Sequence, residues 1–177
     1  MHIFIATDGS LNMDKTVELV TRLYEPDDMV TIFTAIEFPR SFLQNYAAAS
    51  GAADIAAIAD AAGSQLASGS KAAEHLMGTP ERSADPQQMH ATNYFLSVAE
   101  KYCGPLKAAL GDAGITATVL WAPTENQTAR VIIAEADVKK ADILMLGSHG
   151  QGGFEGPLGS TVTKVVRRAK KPVLLVR

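Results

Sequence analysis

Between Gly147 and Gly159 the chain places six glycines in thirteen residues (Gly147, Gly150, Gly152, Gly153, Gly156 and Gly159) and then runs directly into Ser160-Thr161. A glycine has no Cβ to hold a ligand away, so successive backbone N–H groups can turn toward one anion. A helix opening at Gly159-Ser160-Thr161 would add its own first N–H groups and the positive end of its dipole. The hydroxyls of Ser160 and Thr161 offer further donors. This pattern points to the cradling of phosphate. It is not a Walker loop, because Gly152 is followed by Gly153 and Phe154 and no lysine stands where one is needed. Gly150, Gly152 and Gly156 imitate a dinucleotide fingerprint, but no acidic ribose-binding residue follows about 20 positions later, which argues against NAD.

A second chemical cluster is Ala6-Thr7-Asp8-Gly9-Ser10, near the start of the chain. Asp8 in this setting is a turn residue that can bond its own backbone, or an acid offered to a ligand. The remaining reactive side chains are scattered. His149 is the only histidine of the glycine loop and has no acid beside it in sequence, while His2, His75 and His90 are dispersed. Neither a metal cluster nor a Ser–His–Asp arrangement is indicated. Cys103 falls on the apolar side of a helix and reads as core.

These clusters need elements to carry them. His2 to Thr7 is an apolar run ended by Asp8-Gly9 and reads as a buried strand. Met13, Val17, Val20 and Tyr24 recur at helical spacing, with Ser10 or Asn12 available as a cap and Glu18–Arg22 as an i,i+4 pair. Val30 to Ile36 is a second strand, apolar on both faces. From about 39 to 90 the composition turns to Ala, Gly and Ser, a long insertion with a weak helical stretch at Asp54–Leu66. Periodicity returns at Phe95, Val98, Ala99, Tyr102, Leu106 and Leu110, a long helix stopped by Gly111 and Gly114. Strands are expected at Ile115–Trp121, Ile143–Leu146 and Pro172–Val176. Helices marked by Ala129, Ile132, Ile133 and Ala136, and by Val162, Val165, Val166 and Ala169, alternate with them. Such alternation predicts an α/β fold with a mostly parallel, doubly wound sheet, and ligands in such sheets sit at the carboxyl ends of the strands.

The 177 residues suit one domain carrying the insertion, and 47% hydrophobic with 20% charged residues is the balance of a globular chain. Lys and Arg total 16 against 19 Asp and Glu, so no basic surface calls for nucleic acid or an anionic membrane. One cysteine excludes an intrachain disulfide, no apolar run approaches a membrane span, and the first residues lack a signal-peptide pattern. A cytoplasmic protein is the expectation.

Taken together, Asp8-Gly9-Ser10, Ala141-Asp142-Ile143 through Gly147-Ser148-His149-Gly150, Gly159-Ser160 and Lys171-Pro172-Val173 resemble the universal stress protein family. Its nucleotide-binding members carry an apolar first strand ending in Asp and a G-x2-G-x9-G-[S/T] loop after the fourth strand. Eight residues, Gln151 to Leu158, stand here where that pattern has nine, and Ala122 to Gln127 replaces a shorter Gly-x-Pro turn. The resemblance implies five parallel strands in the order 3-2-1-4-5 and binding of ATP, or of AMP or ADP, with or without Mg²⁺. By position, the backbone at Ala6, Thr7 and Ala35 would line the adenine, and Asp8 would accept from adenine or ribose. Leu146 and Gly147 would flank the ribose, His149 and Gly150 would lead into the phosphate cradle, and Gly159, Ser160, Thr161 and Val162 would hold the terminal phosphates. The resemblance also implies a homodimer through the last strand, whose apolar edge needs cover. The expected function is nucleotide sensing in a stress response with little or no turnover. A non-nucleotide dimeric interaction module and a slow ATPase are the alternatives.

Overall fold

The computed structural model describes residues 1–37, 86–148 and 158–177, with side chains from Phe95 onward in the second stretch. Strand β1 (His2–Ala6) is followed by helix α1 (Met13–Leu23) and strand β2 (Met29–Glu37). Helix α2 (Pro86–Asp112), strand β3 (Ala117–Thr124), helix α3 (Thr128–Val138), strand β4 (Ile143–Gly147), helix α4 (Ser160–Arg168) and strand β5 (Val173–Val176) complete the order. Every strand pairing is parallel and the sheet order is β3-β2-β1-β4-β5, as the resemblance implied. Helix α2 starts at Pro86, inside the stretch assigned to the insertion, and β3 runs three residues past Trp121. The weak helix expected at Asp54–Leu66 lies outside the described residues.

Alternation along the strands divides the core in two. Ile3, Ile5, Val30, Ile32 and Met145 face α1 and α2, where Val20, Cys103, Leu106 and Leu110 meet them. Phe4, Ala6, Phe33, Leu144 and Leu146 face α3 and α4, against Ala129, Ile132, Ala136 and Val165. β1 is buried throughout because it is the middle strand and both of its faces are covered. The Phe4 and Phe33 rings lie 5.4 Å apart on adjacent strands. Within β3, Trp121 stacks on Phe95 of α2 with centroids 5.2 Å apart. The burial of Cys103 pushes its thiol up to about 12, so it is a core side chain and not a nucleophile.

Helix ends are closed by local hydrogen bonds. The Asn12 side chain accepts from Lys15 N–H at 3.1 Å and caps α1. α2 ends with Gly114 at φ +79° and a bond from Ile115 N–H to Leu110 C=O at 2.9 Å. α3 closes in the same way, from Ala141 N–H to Ala136 C=O at 2.9 Å, but the left-handed residue is Lys140 at φ 53°. At the amino ends of the strands His2 is buried. Its Nδ1–H donates to Lys139 C=O and its Nε2 accepts from the Thr31 hydroxyl, each at 2.8 Å. The carbonyl can only accept, which assigns the proton to Nδ1.

Two stability outcomes follow. Lys140→Gly removes the left-handed penalty and raises the urea midpoint by the equivalent of about 1 kcal/mol at unchanged slope. Glu135, half-buried on α3, has its carboxyl raised above the usual range by desolvation, which Lys139 only partly offsets. A raised acid removes stability as pH climbs through its folded pKa. Glu135→Gln therefore melts about 1–2 °C above the wild type at pH 7. The difference disappears below the ordinary glutamate pKa, as a thermal melt series across pH would record.

Candidate functional site

A cleft of about 200 Å³ opens at the carboxyl ends of β1, β2 and β4. It lies where chain order reverses, β1 leading outward to β2 on one side and β4 leading to β5 on the other. Ala6, Thr7, Asp8, Ala35, Leu146, Gly147, Gly159, Ser160, Thr161 and Val162 all line it. Ten of the twelve residues named from the sequence thus meet in one place, from four separate segments of the chain. The other two, His149 and Gly150, lie outside the described residues, as do Gly152, Gly153 and Gly156.

The cleft exists because β1 is shorter than its neighbour. Leu146, Ala6 and Phe33 stand side by side across the sheet, and the last rung between β1 and β2 is Thr7 N–H to Phe33 C=O at 2.9 Å. β2 continues to Glu37. In a parallel ladder every second residue points its N–H and C=O to the same neighbour, so Ala35 aims both at the space where β1 has stopped. No described residue bonds them there. The sheet therefore offers one donor and one acceptor, side by side, to whatever enters. Phe33, Ile132 and Leu146 supply apolar surface around them.

The opposite wall is the start of α4. Gly159 is its N-cap and makes no side-chain cap, and among the described residues no side chain bonds the first amides of the helix, which belong to residues that line the cleft. Arg167 and Arg168 occupy the last turn, where the dipole favours them. The Gly159 amide itself donates to Ser148 C=O at 3.2 Å. Its contribution to the cleft is thus the missing side chain, and the available amides are those of Ser160, Thr161 and Val162. Two strand spacings, about 9–10 Å, separate Gly147 from Ala35. One end of the cleft is therefore electropositive and the other end presents a hydrogen-bonding strand edge.

Asp8 stands between these ends. Its Oδ1 accepts from Ser10 N–H at 3.0 Å and also from the Ser10 hydroxyl, so it is a turn residue and a cleft residue at once. Gly9 follows at φ +86°, and a Cβ there would meet Tyr102 Cδ1 of α2 at 2.9 Å. Glycine is required on both counts.

The sequence reading missed Ser10, Leu11, Phe33, Thr128 and Ile132 as lining residues. Thr128 and Ile132 are four apart on α3 and project together toward the cleft. The signal was present in Thr128-x3-Ile132, but the Ala122–Gln127 stretch obscured where the helix begins. Thr128 Oγ1 donates to the Glu37 carboxylate at the end of β2. Among the described residues no group of three His, Cys, Asp or Glu side chains is placed to hold a metal ion, and no helix is long and apolar enough to cross a membrane.

Comparison with known proteins gives the chain a family. A universal stress protein from Mycolicibacterium smegmatis is 45% identical over 42 residues, a segment that is 23% of this chain and 14% of that protein. The solved structure of hypothetical protein MJ0577 superimposes with a TM-score of 0.62 at 17% identity, covering 99% of this chain and 94% of that one. A universal stress protein in complex with cAMP gives 0.51 at 18% identity, over 100% and 96% of the two chains. The universal stress protein of Archaeoglobus fulgidus in complex with dAMP gives 0.52 at 15%, over 100% and 98%. At these identities the structures attest the fold. The family model of universal stress proteins matches residues 1–177, and the chain belongs to that family.

Proposed function

We propose that the protein binds an adenine nucleotide in this cleft and acts as a nucleotide-sensing regulator with little or no turnover. The observation that carries the reading is the meeting within one cleft of a helix N-terminus with a glycine cap, a strand edge whose donor–acceptor pair has no partner among the described residues, and Asp8. The amides of Ser160, Thr161 and Val162 suit phosphate. The Ala35 N–H and C=O suit N1 and the 6-amino group of adenine, with Ala6, Phe33, Leu146 and Ile132 against the ring. Asp8 is within the same wall for the ribose hydroxyls. Relatives solved with cAMP and dAMP support the adenine class. ATP, with Mg²⁺ brought on its phosphates, ADP and AMP are the candidate ligands. Among the described residues the cleft contains no lysine or arginine, which favours holding a phosphate over transferring it.

The same reading includes a homodimer through β5. That strand is the outermost of its side, short and apolar, and its free edge would be covered by a second copy.

Two measurements test the proposal. Saturating AMP or ATP raises the melting temperature by about 5–10 °C, and denaturing the purified protein releases adenine nucleotide detectable by chromatography. No shift with ATP, ADP or AMP at millimolar concentration overturns the reading and favours a dimeric interaction module. Ser160→Asp separates binding from folding. A carboxylate in the first helical turn supports α4 but opposes phosphate, so the variant melts no lower than the wild type and binds nucleotide at least about tenfold more weakly.

A further inference from the structure

The Ala35 backbone accounts for one edge of a bound base, and what lies beyond that edge has a chemistry of its own. Glu37 follows two residues later on the same face of β2, and Thr128 stands across from it at the first position of α3. Thr128 Oγ1 gives its proton to the Glu37 carboxylate. With that proton committed, Thr128 Oγ1 turns only lone pairs to the cleft it lines, and the carboxylate behind it is also an acceptor. Thr124 is paired in register with Glu37, and its buried hydroxyl has no hydrogen-bond partner among the described residues. Of these three residues Thr128 lines the cleft, with Glu37 behind it, and the Thr128 oxygen so committed can only accept.

We propose that the Thr128–Glu37 pair sets base selectivity, Thr128 as the contacting residue and Glu37 as the positioning residue that orients its hydroxyl. The inference rests on the nucleotide reading above. An acceptor-only, anionic corner favours a ligand that brings N–H donors, such as the 6-amino group of adenine. A 6-oxo purine at the same place sets lone pair against lone pair. The carboxylate also fixes the polarity of the ligand, because phosphate is repelled from the β2 end and drawn to the start of α4.

Adenosine 5′-monophosphate and inosine 5′-monophosphate differ at this position as amine against carbonyl, which makes their affinity ratio the readout. Calorimetric titration of the full chain gives a wild-type preference for the adenosine nucleotide. Thr128→Val lowers that ratio about five- to tenfold, Thr128→Ser keeps it, and Glu37→Gln falls between, with the melting temperature of each variant as the folding control. An unchanged ratio in Thr128→Val while both nucleotides still bind overturns the assignment. If Thr128→Val does not fold, an unchanged ratio in Glu37→Gln overturns it instead. Failure of the wild type to bind either nucleotide removes the nucleotide reading itself.

Discussion

The structure depends on a mismatch in strand length. β1 stops at Ala6 while β2 runs on to Glu37, and the parallel ladder leaves the Ala35 amide and carbonyl aimed at a strand that is no longer there. A sheet with matched ends would have spent those groups on pairing and closed the space. Everything else at the cleft is arranged around this gap: the Asp8-Gly9 turn carries the chain away, α4 begins on one side and α3 on the other. The constraint is topological as well as local, because only the central strand of a doubly wound sheet has such neighbours on both sides.

Rigidity comes from the two cores, which hold the gap open from both faces. Ile3 and Ile5 lock β1 to α1 and α2, and Phe4 and Ala6 lock it to α3 and α4. The opposite end of the same strand is tied down by His2, whose ring joins Thr31 of β2 to the carbonyl of Lys139 after α3. The site therefore combines the carboxyl ends of β1, β2 and β4 with the Asp8 turn and the starts of α3 and α4, while the buried middle of the sheet supports it.

Much of this was legible in the residues. The alternation of apolar runs with helical periods gave the α/β class, and the glycines before Ser160 marked a helix start suited to anions. The resemblance supplied the strand order. Asn12 and Ser10 were both open as the cap of α1, and only the geometry shows Asn12 holding Lys15 while Ser10 bonds to Asp8. Thr128 escaped notice because the Ala122–Gln127 stretch hid the start of α3, and its contact with Glu37 of β2 is a tertiary relation that the i,i+4 spacing to Ile132 does not reveal. The early start of α2 at Pro86 was hidden by a composition shift that reads as an insertion. The backbone of Ala35 was named only through the resemblance, since its orientation comes from pairing register and not from residue type.

Ser148 is a small residue with a large structural consequence. Its N–H donates to Val176 of β5 at 2.9 Å, its C=O accepts from Gly159 at 3.2 Å, and it is buried. Both stems of the glycine-rich segment are thereby stapled to the sheet and to each other. Changes in the number of residues between the staples alter contour length without shifting the register of β4, β5 or α4. The eight residues between Gly150 and Gly159, where the family pattern has nine, thus fall between two anchor points that are themselves tied to β5 and to the start of α4.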